Sequence, residues 1–253
     1  MEIELKHQRH IHSAVSMIGG FLGGYAIINF CELFANAQTA NMIHLVENLI
    51  TGDFSGLAYI FAALFTYMAG NAFCVIYRKF ISKNLRALSL LLDMLAITAV
   101  GVITQFTSSS FALLPILFVM PIQWNAFNDD AGYVSSTIFS TNNLRQATMS
   151  LVQYIADKSQ AQLDKAKFFW STLLYFHIGV AIVCIPSIFY TTQSIWFGFI
   201  PAVLAAALYI IRCDLITYLK LKMRRHSRRR KNTLLCPTAS EQFPINLKKH
   251  LSK

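Results

Sequence analysis

The chain has 253 residues, is 55 % hydrophobic with 20 Phe, carries only 13 % charged residues and has a mean hydropathy of +0.47. That is more apolar surface than a single soluble core of this length uses, which excludes an ordinary soluble globular domain and points to a bilayer. The formal net charge of +10 then reads as a topology signal, not as a nucleic-acid footprint.

Six apolar runs are long enough to cross about 30 Å of hydrocarbon at roughly 1.5 Å per residue. They are Ser13 to Phe34, Leu57 to Tyr77, Leu88 to Ile103, Phe111 to Phe127, Phe168 to Tyr190 and Ile195 to Ile211. The first follows a basic N-terminus (Lys6, Arg9), as in a cleaved signal peptide, but it is longer than a usual signal core and five more runs follow, so a retained first helix is expected. His7, His10 and His12 in KHQRHIH have no acidic or cysteine partner nearby and lie in a segment expected to be mobile, so no metal site is expected. The five cysteines, Cys31, Cys74, Cys184, Cys213 and Cys236, show no metal-ligand spacing and read as small packing residues.

Between the first and second runs, TANMIHLVENLIT (39–51) places Met42, Leu45, Val46 and Leu49 on one helical face. Its 13 residues reach only about 20 Å, too short to span. The stretch 141–156, with Leu144, Ala147, Thr148, Leu151 and Ile155 on one face and Asn142, Asn143, Arg145 and Gln146 on the other, has the same character. Both read as amphipathic or re-entrant helices.

Of the 22 Lys and Arg, two precede the first run, four lie between the second and third (Arg78, Lys79, Lys83, Arg86), four between the fourth and fifth (Arg145, Lys158, Lys165, Lys167) and 12 run from Arg212 to Lys253. None falls in the intervening loops. The positive-inside tendency therefore predicts that both termini are cytoplasmic.

Thr39-Ala40-Asn41-Met42 has a near-echo in Thr141-Asn142-Asn143-Leu144, and Leu49 then aligns with Leu151. With seven extra residues in the second copy, Tyr67-Met68-Ala69-Gly70 aligns with Phe176-His177-Ile178-Gly179. Each half is a span, a short helix and two more spans, and three crossings per half oblige the second copy to enter from the opposite side. The expected fold is thus an all-α membrane protein of about six transmembrane helices in two inverted three-helix repeats, about 13–104 and 111–211, each with a short amphipathic or re-entrant helix. Residues 1–211 form the membrane domain and 212–253 a basic cytoplasmic tail.

The stretches MPIQWNAF (120–127), GYVSSTIFSTNNLRQ (132–146), GGFLGGY (19–25) and QTAN (38–41) resemble the YoaK-like family of bacterial multi-pass membrane proteins, over roughly residues 13 to 211. The resemblance implies a protein of the bacterial cytoplasmic membrane with about six spans, in a family of unsettled function. The family pattern has Thr-Gly-Asn where this chain has Thr39-Ala40-Asn41 and Thr141-Asn142-Asn143, and often an Asp near the position of Gly23.

Several polar residues in the apolar runs are candidates for a solute path. Thr39 and Thr141, or polar residues beside them, are suited to capping the short helices, and Asn41 and Asn143 to meeting unpaired backbone. Alternatively, the two helix N-termini line a cavity that offers partial positive charge to a polar or anionic solute. Asp93, seven residues past Arg86, reads either as a pathway or coupling group or as half of a buried pair. Glu32 reads as a solvated span end. His177 is expected to bond to a neighbouring helix, with a proton relay as the alternative. Gln123 and Asn125 serve either as interhelical glue or as solute contacts.

The tail segment KLKMRRHSRRRKN (220–232) lacks interleaved aromatics and follows a span directly, so anionic lipid headgroups, not nucleic acid, are its expected partner. No HExxH, GxSxG or GxxxxGK[ST] pattern occurs, so no enzyme and no cofactor is expected. The reading that follows is a small-solute transporter or channel with its path between the repeats; the alternative is a non-transporting membrane scaffold or partner subunit. The solute is unspecified, and self-association stays open.

Overall fold

The computed structural model describes residues 2–30, 34–81, 84–129 and 132–213. The described residues contain helices and no strands. In chain order these are α1 (Glu2–Asn29), α2 (Thr39–Thr51), α3 (Phe54–Phe80), α4 (Leu85–Ile103), α5 (Leu114–Phe127, entered through a 3-10 turn at Ser110–Leu113), α6 (Thr141–Asp157), α7 (Gln160–Tyr190) and α8 (199–213). A 3-10 stretch, Thr191–Gly198, joins the last two. The first four run long, short, long, long; in the next four α5 has 14 residues, α6 17 and α7 31. The chain divides into two compact units, Met1–Ile210 and Ile211–Lys253, and the helical assembly described here is the first. Glu32, Cys31, Cys236 and the 220–232 segment lie outside the described residues.

Five segments are long and apolar enough to cross a membrane: His7–Asn29, Phe54–Phe80, Leu85–Ile103, Ser110–Phe127 and Gln160–Cys213. The last has 54 residues and is interrupted at Thr191–Gly198. The molecule's outside is apolar, with Phe54, Phe65, Phe80, Ile188 and Phe189 all exposed, whereas Ser16, Asn36, Gln123, Thr137 and Asn143 are buried. That inversion is what a lipid solvent selects.

The predicted boundaries shift in three places. The first run does not continue as helix to Phe34: α1 ends at Asn29, and residues 34–38 form an irregular segment before α2. The run expected from Phe168 begins at Gln160. The run expected from Ile195 begins as 3-10 turn, and α-helix resumes only at residue 199. The N-terminal segment expected to be mobile is the first turns of α1, and His12 is fully buried.

Local chemistry accounts for the ends. Asp53 caps α3 by accepting from the Ser55 and Gly56 amides (3.1 and 3.0 Å). Gly52, at φ 75°, supplies the left-handed residue that lets α2 turn into α3. Asn84 caps α4 through the Ala87 amide and also donates to the Tyr209 hydroxyl on α8.

α1 is the most enclosed span, and its glycines make that possible. A Cβ at Gly19 would run into the Thr137 carbonyl oxygen, and one at Gly20 into that of Phe176 on α7. Gly179 on α7 lies as close to the Met17 carbonyl of α1, and Gly70 on α3 to the Phe118 carbonyl of α5. Small residues at such crossings replace the hydrophobic drive that helices lack in lipid with close van der Waals packing. α1 therefore pairs with α7, and α3 with α5.

Candidate functional site

Two irregular segments, 34–38 and 134–140, lie against the middle of α1 and run directly into the two short helices. Backbone without secondary structure inside a membrane protein must find hydrogen bonds within the protein. Side chains supply them. Asn36, fully buried, donates from Nδ2 to the Gly19 carbonyl of α1 (2.7 Å) and to the Ile138 carbonyl of the other segment. Gln123 on α5, also fully buried, donates to the Val15 carbonyl and to Thr137 Oγ1, both at 3.1 Å.

Asn143 closes the second segment onto its own helix. Its Oδ1 accepts from Ser135 Oγ (3.0 Å) and the Ser136 amide (3.3 Å), while Nδ2 donates to the Ser136 carbonyl (2.6 Å) and the Phe139 carbonyl (3.3 Å). Because the Ser135 hydroxyl proton goes to Asn143, His12 Nε2 donates to Ser135 Oγ across 3.1 Å. The His12 ring also lies on Phe168, with centroids 5.0 Å apart. Asn41 is the counterpart in the first segment, with Nδ2 donating to Gln38 Oε1 (3.0 Å) and to the Phe34 carbonyl at 3.5 Å. Both tetrapeptide asparagines are 2 % exposed and turn back on the segment that precedes their helix.

Thr39 and Thr141 do not cap. They are the first residues of α2 and α6 and are exposed, and the residues at the N-cap positions, Gln38 and Ser140, make no side-chain cap bond either. The reason is local: Gln38 is engaged with Asn41, and both N-cap residues have helical backbone angles, from which a side chain does not reach back to the amides of the first turn.

The other candidates are separate from this crossing. Asn125 donates to Asn71 Oδ1 on α3 (3.0 Å) and to the Pro121 carbonyl of its own helix (2.8 Å), tying α5 to α3. His177 bonds through Nδ1 to the Leu173 carbonyl one turn back on its own helix (2.7 Å), not to a neighbouring helix. Asp93 is fully buried in α4 and makes no ion pair with Arg86, whose guanidinium is held by the Ala126 carbonyl (3.0 Å) and Asp129 (3.4 Å).

Several buried polar atoms at the crossing have no hydrogen-bond partner within the protein: Asn36 Oδ1, Asn41 Oδ1, Gln38 Nε2, Gln123 Oε1 and Ser140 Oγ. A groove of about 370 Å³ is bordered by both irregular segments, through Phe34 and Phe139 to Thr141, and by Gly24 of α1 and Val180 of α7; of the five residues just named, Ser140 lines it and Asn36, Gln38, Asn41 and Gln123 do not. Its walls are mainly apolar. Among the described residues no group of three or more His, Cys, Asp or Glu could hold a metal ion. Among the described residues Cys74 and Cys184 form no disulfide.

Asn36, Ser135 and Thr137 carry no mark in the sequence that sets them apart, and His12 reads from the sequence only as a discounted metal ligand in a segment expected to be mobile, whereas it is buried against Ser135. Asn36 was within sight, five residues before Asn41 in the same polar stretch, but nothing in one sequence says that it reaches across to residue 138.

An apolar exterior, several helices of spanning length and a polar seam sealed inside define a helical multi-span membrane protein. Residues 11–211 match a family described as Protein of unknown function (DUF1275), and the chain belongs to that family. The match covers the stretch that carries the GGFLGGY, MPIQWNAF and STIFSTNNLRQ motifs. No curated protein and no solved structure matches the chain.

Proposed function

We propose that the protein carries a small polar solute across the bacterial cytoplasmic membrane, as a transporter or channel, along a path at the crossing of the two irregular segments. The observation that carries this reading is the set of buried, unpartnered polar atoms there, Asn36 Oδ1 and Gln123 Oε1 foremost. A polar atom left unpaired at membrane depth costs about 1–3 kcal/mol, and the groups that tolerate that cost are typically those that meet a solute or ion.

The inverted repeat supports the reading. The tetrapeptides are offset by 141 − 39 = 102 positions, and Asn36 bonds across to a residue 102 positions away, so corresponding points of the two halves meet. The aligned glycines Gly70 and Gly179 each pack on the first span of the opposite half, at Phe118 and Met17. With a turn at Thr191–Gly198 the 54-residue segment crosses twice. That makes six spans with both termini cytoplasmic, the tail facing anionic lipid.

A scaffold without transport is the second reading, favoured by the close glycine crossings and by the engagement of Asn41 and Asn143 with their own loops. One experiment separates them. Purified protein is screened against small solutes by thermal shift, and any hit is then tested on Asn36→Ala and Gln123→Ala and for flux in liposomes. Transport predicts that either change removes the shift and the flux; a shift that survives both leaves the scaffold. Reporter fusions at Asn84 and after Asn232 should report cytoplasm and one at Gly52 the outside, and a cytoplasmic Gly52 overturns the topology.

A further inference from the structure

Away from the crossing, one face of α4 holds a second set of unpartnered polar atoms. Ser89 and Asp93 stand four residues apart, hence one above the other on the same helical face. Ser89 is 1 % exposed and Asp93 0 %. Ser89 Oγ and both Asp93 carboxyl oxygens have no hydrogen-bond partner within the protein.

This face is held in place on both sides. Toward one end Asn84 bonds Tyr209 of α8, and toward the other Gly101 meets the Trp196 ring and Ile97 meets Gly198. Arg86 ties the start of the helix to the Ala126 carbonyl of α5. Charged and titratable groups on the packed elements are few. α5 and the Thr191–Gly198 stretch carry none. On α4 itself there is Arg86, engaged as described. On α3 Arg78 donates to the Asn125 carbonyl, and Lys79, Tyr59, Tyr67, Cys74 and Tyr77 complete that helix. On α8 there is Tyr209, bonded to Asn84, followed along the sequence by Arg212 and Cys213. Of those in the first unit, none is hydrogen-bonded to Asp93.

We propose that Asp93 and Ser89 form a proton-binding site, in which the carboxyl of Asp93 holds a proton while α4 is packed against α5 and α8 and releases it when that packing opens. Two arguments select a proton over a metal cation. A carboxylate sealed here would have no counter-charge, and an unpaired buried charge costs far more than an unpaired neutral group. A hard cation wants six or more oxygens, whereas three unpartnered oxygens are on this face. Ser89, one turn away on the same face, supplies a hydroxyl that is not hydrogen-bonded to the carboxyl here and can accept from it after a side-chain rotation. The site stands independently of the solute path at the crossing and survives if that path is wrong. If both exist, uptake and release of one proton is the natural drive for the transport cycle.

The test uses the whole purified protein in detergent. Infrared spectra recorded from about pH 5 to about pH 9 should contain a protonated-carboxyl band that is lost at high pH and is missing at every pH in Asp93→Asn. Melting temperature should fall with rising pH by about 3 °C or more, and Asp93→Asn, a neutral shape mimic, should remove most of that fall. Ser89→Ala should move the midpoint of the band, and an unmoved midpoint overturns the part given to Ser89. Should Asp93→Asn fail to fold, labelling of the unmodified protein by dicyclohexylcarbodiimide, which attacks protonated carboxyls in apolar surroundings, should map to Asp93 and decline as pH rises. Absence of the band, or labelling at Asp93 that ignores pH, overturns the proposal. So does a sodium- or potassium-dependent rise in melting temperature at constant pH that Asp93→Asn abolishes, which would make the site one for a metal cation.

Discussion

The two irregular segments occupy corresponding places in the chain, yet they are held very differently. Residues 135–140 are fixed by Asn143 with all four of its amide valences used, by Gln123 from α5 and by His12 from α1. Residues 34–38 are held by fewer bonds, those of Asn36 to Gly19 and Ile138 and those of Asn41, and the Oδ1 of both is unpartnered. One segment is thus held by more bonds than the other. An element that moves needs few bonds to break, so the 34–38 segment is where opening should start.

The largest expected effect tests the more firmly bonded segment. Gly19→Ala drives a methyl into the Thr137 carbonyl, backbone that its own bonds hold in place, whereas Gly23→Ala meets the side chains of Asn36 and Phe34, which can shift at the expense of the Asn36 bonds to Gly19 and Ile138. Overpacking costs about 1–3 kcal/mol, and Gly19→Ala should lie at or beyond the top of that range with Gly23→Ala well below it. Melting temperatures of the two purified variants make the comparison, and equal losses would mean that the Asn36 side chain, bonded to Gly19 and Ile138, yields no more readily than the Thr137 backbone.

A smaller effect comes from the asparagines. Hydrogen bonds inside membrane proteins average about 0.6 kcal/mol each, so Asn143→Ala, losing four, should cost about 2 kcal/mol, and Asn41→Ala, losing two weaker ones, about 1 kcal/mol or less. Denaturant titration in mixed micelles reads both. The reverse order would assign rigidity to the wrong segment.

Gln123→Met keeps the volume of a buried side chain but removes its bonds to Val15 and Thr137. About 1 kcal/mol of stability should go, and amide exchange should rise at 135–138 and stay unchanged at 34–38. Exchange rising in both segments would mean that they move as one.

Smallest of all are Thr39→Ala and Thr141→Ala. Both side chains are exposed and cap nothing, so each should stay within about 0.5 kcal/mol of the parent. A loss near 1 kcal/mol in either would restore the capping role that the sequence suggested.

The two short helices were legible because their period and their length are local properties. Apolar residues at helical spacing over 13 residues, too few to span, fix α2 by arithmetic, and the polar face of Asn142, Asn143, Arg145 and Gln146 separates α6 from spans of similar length; the structure places them at Thr39–Thr51 and Thr141–Asp157. Bulk apolarity likewise determined that the chain belongs among helical membrane proteins, since backbone in hydrocarbon must satisfy itself within each helix. What the sequence left open is which polar groups meet. Asn36 finds Ile138, His12 finds Ser135 and Gln123 finds Val15 across separations of 102, 123 and 108 positions, and His177 turns to its own helix, not a neighbour's. Those partnerships depend on how closely helices approach, and that approach is set by glycines whose opposing surfaces come from remote parts of the chain. Hydropathy determined by itself where the chain meets lipid; only tertiary packing decided which buried polar atoms are satisfied and which, at the crossing and at Asp93, are left available.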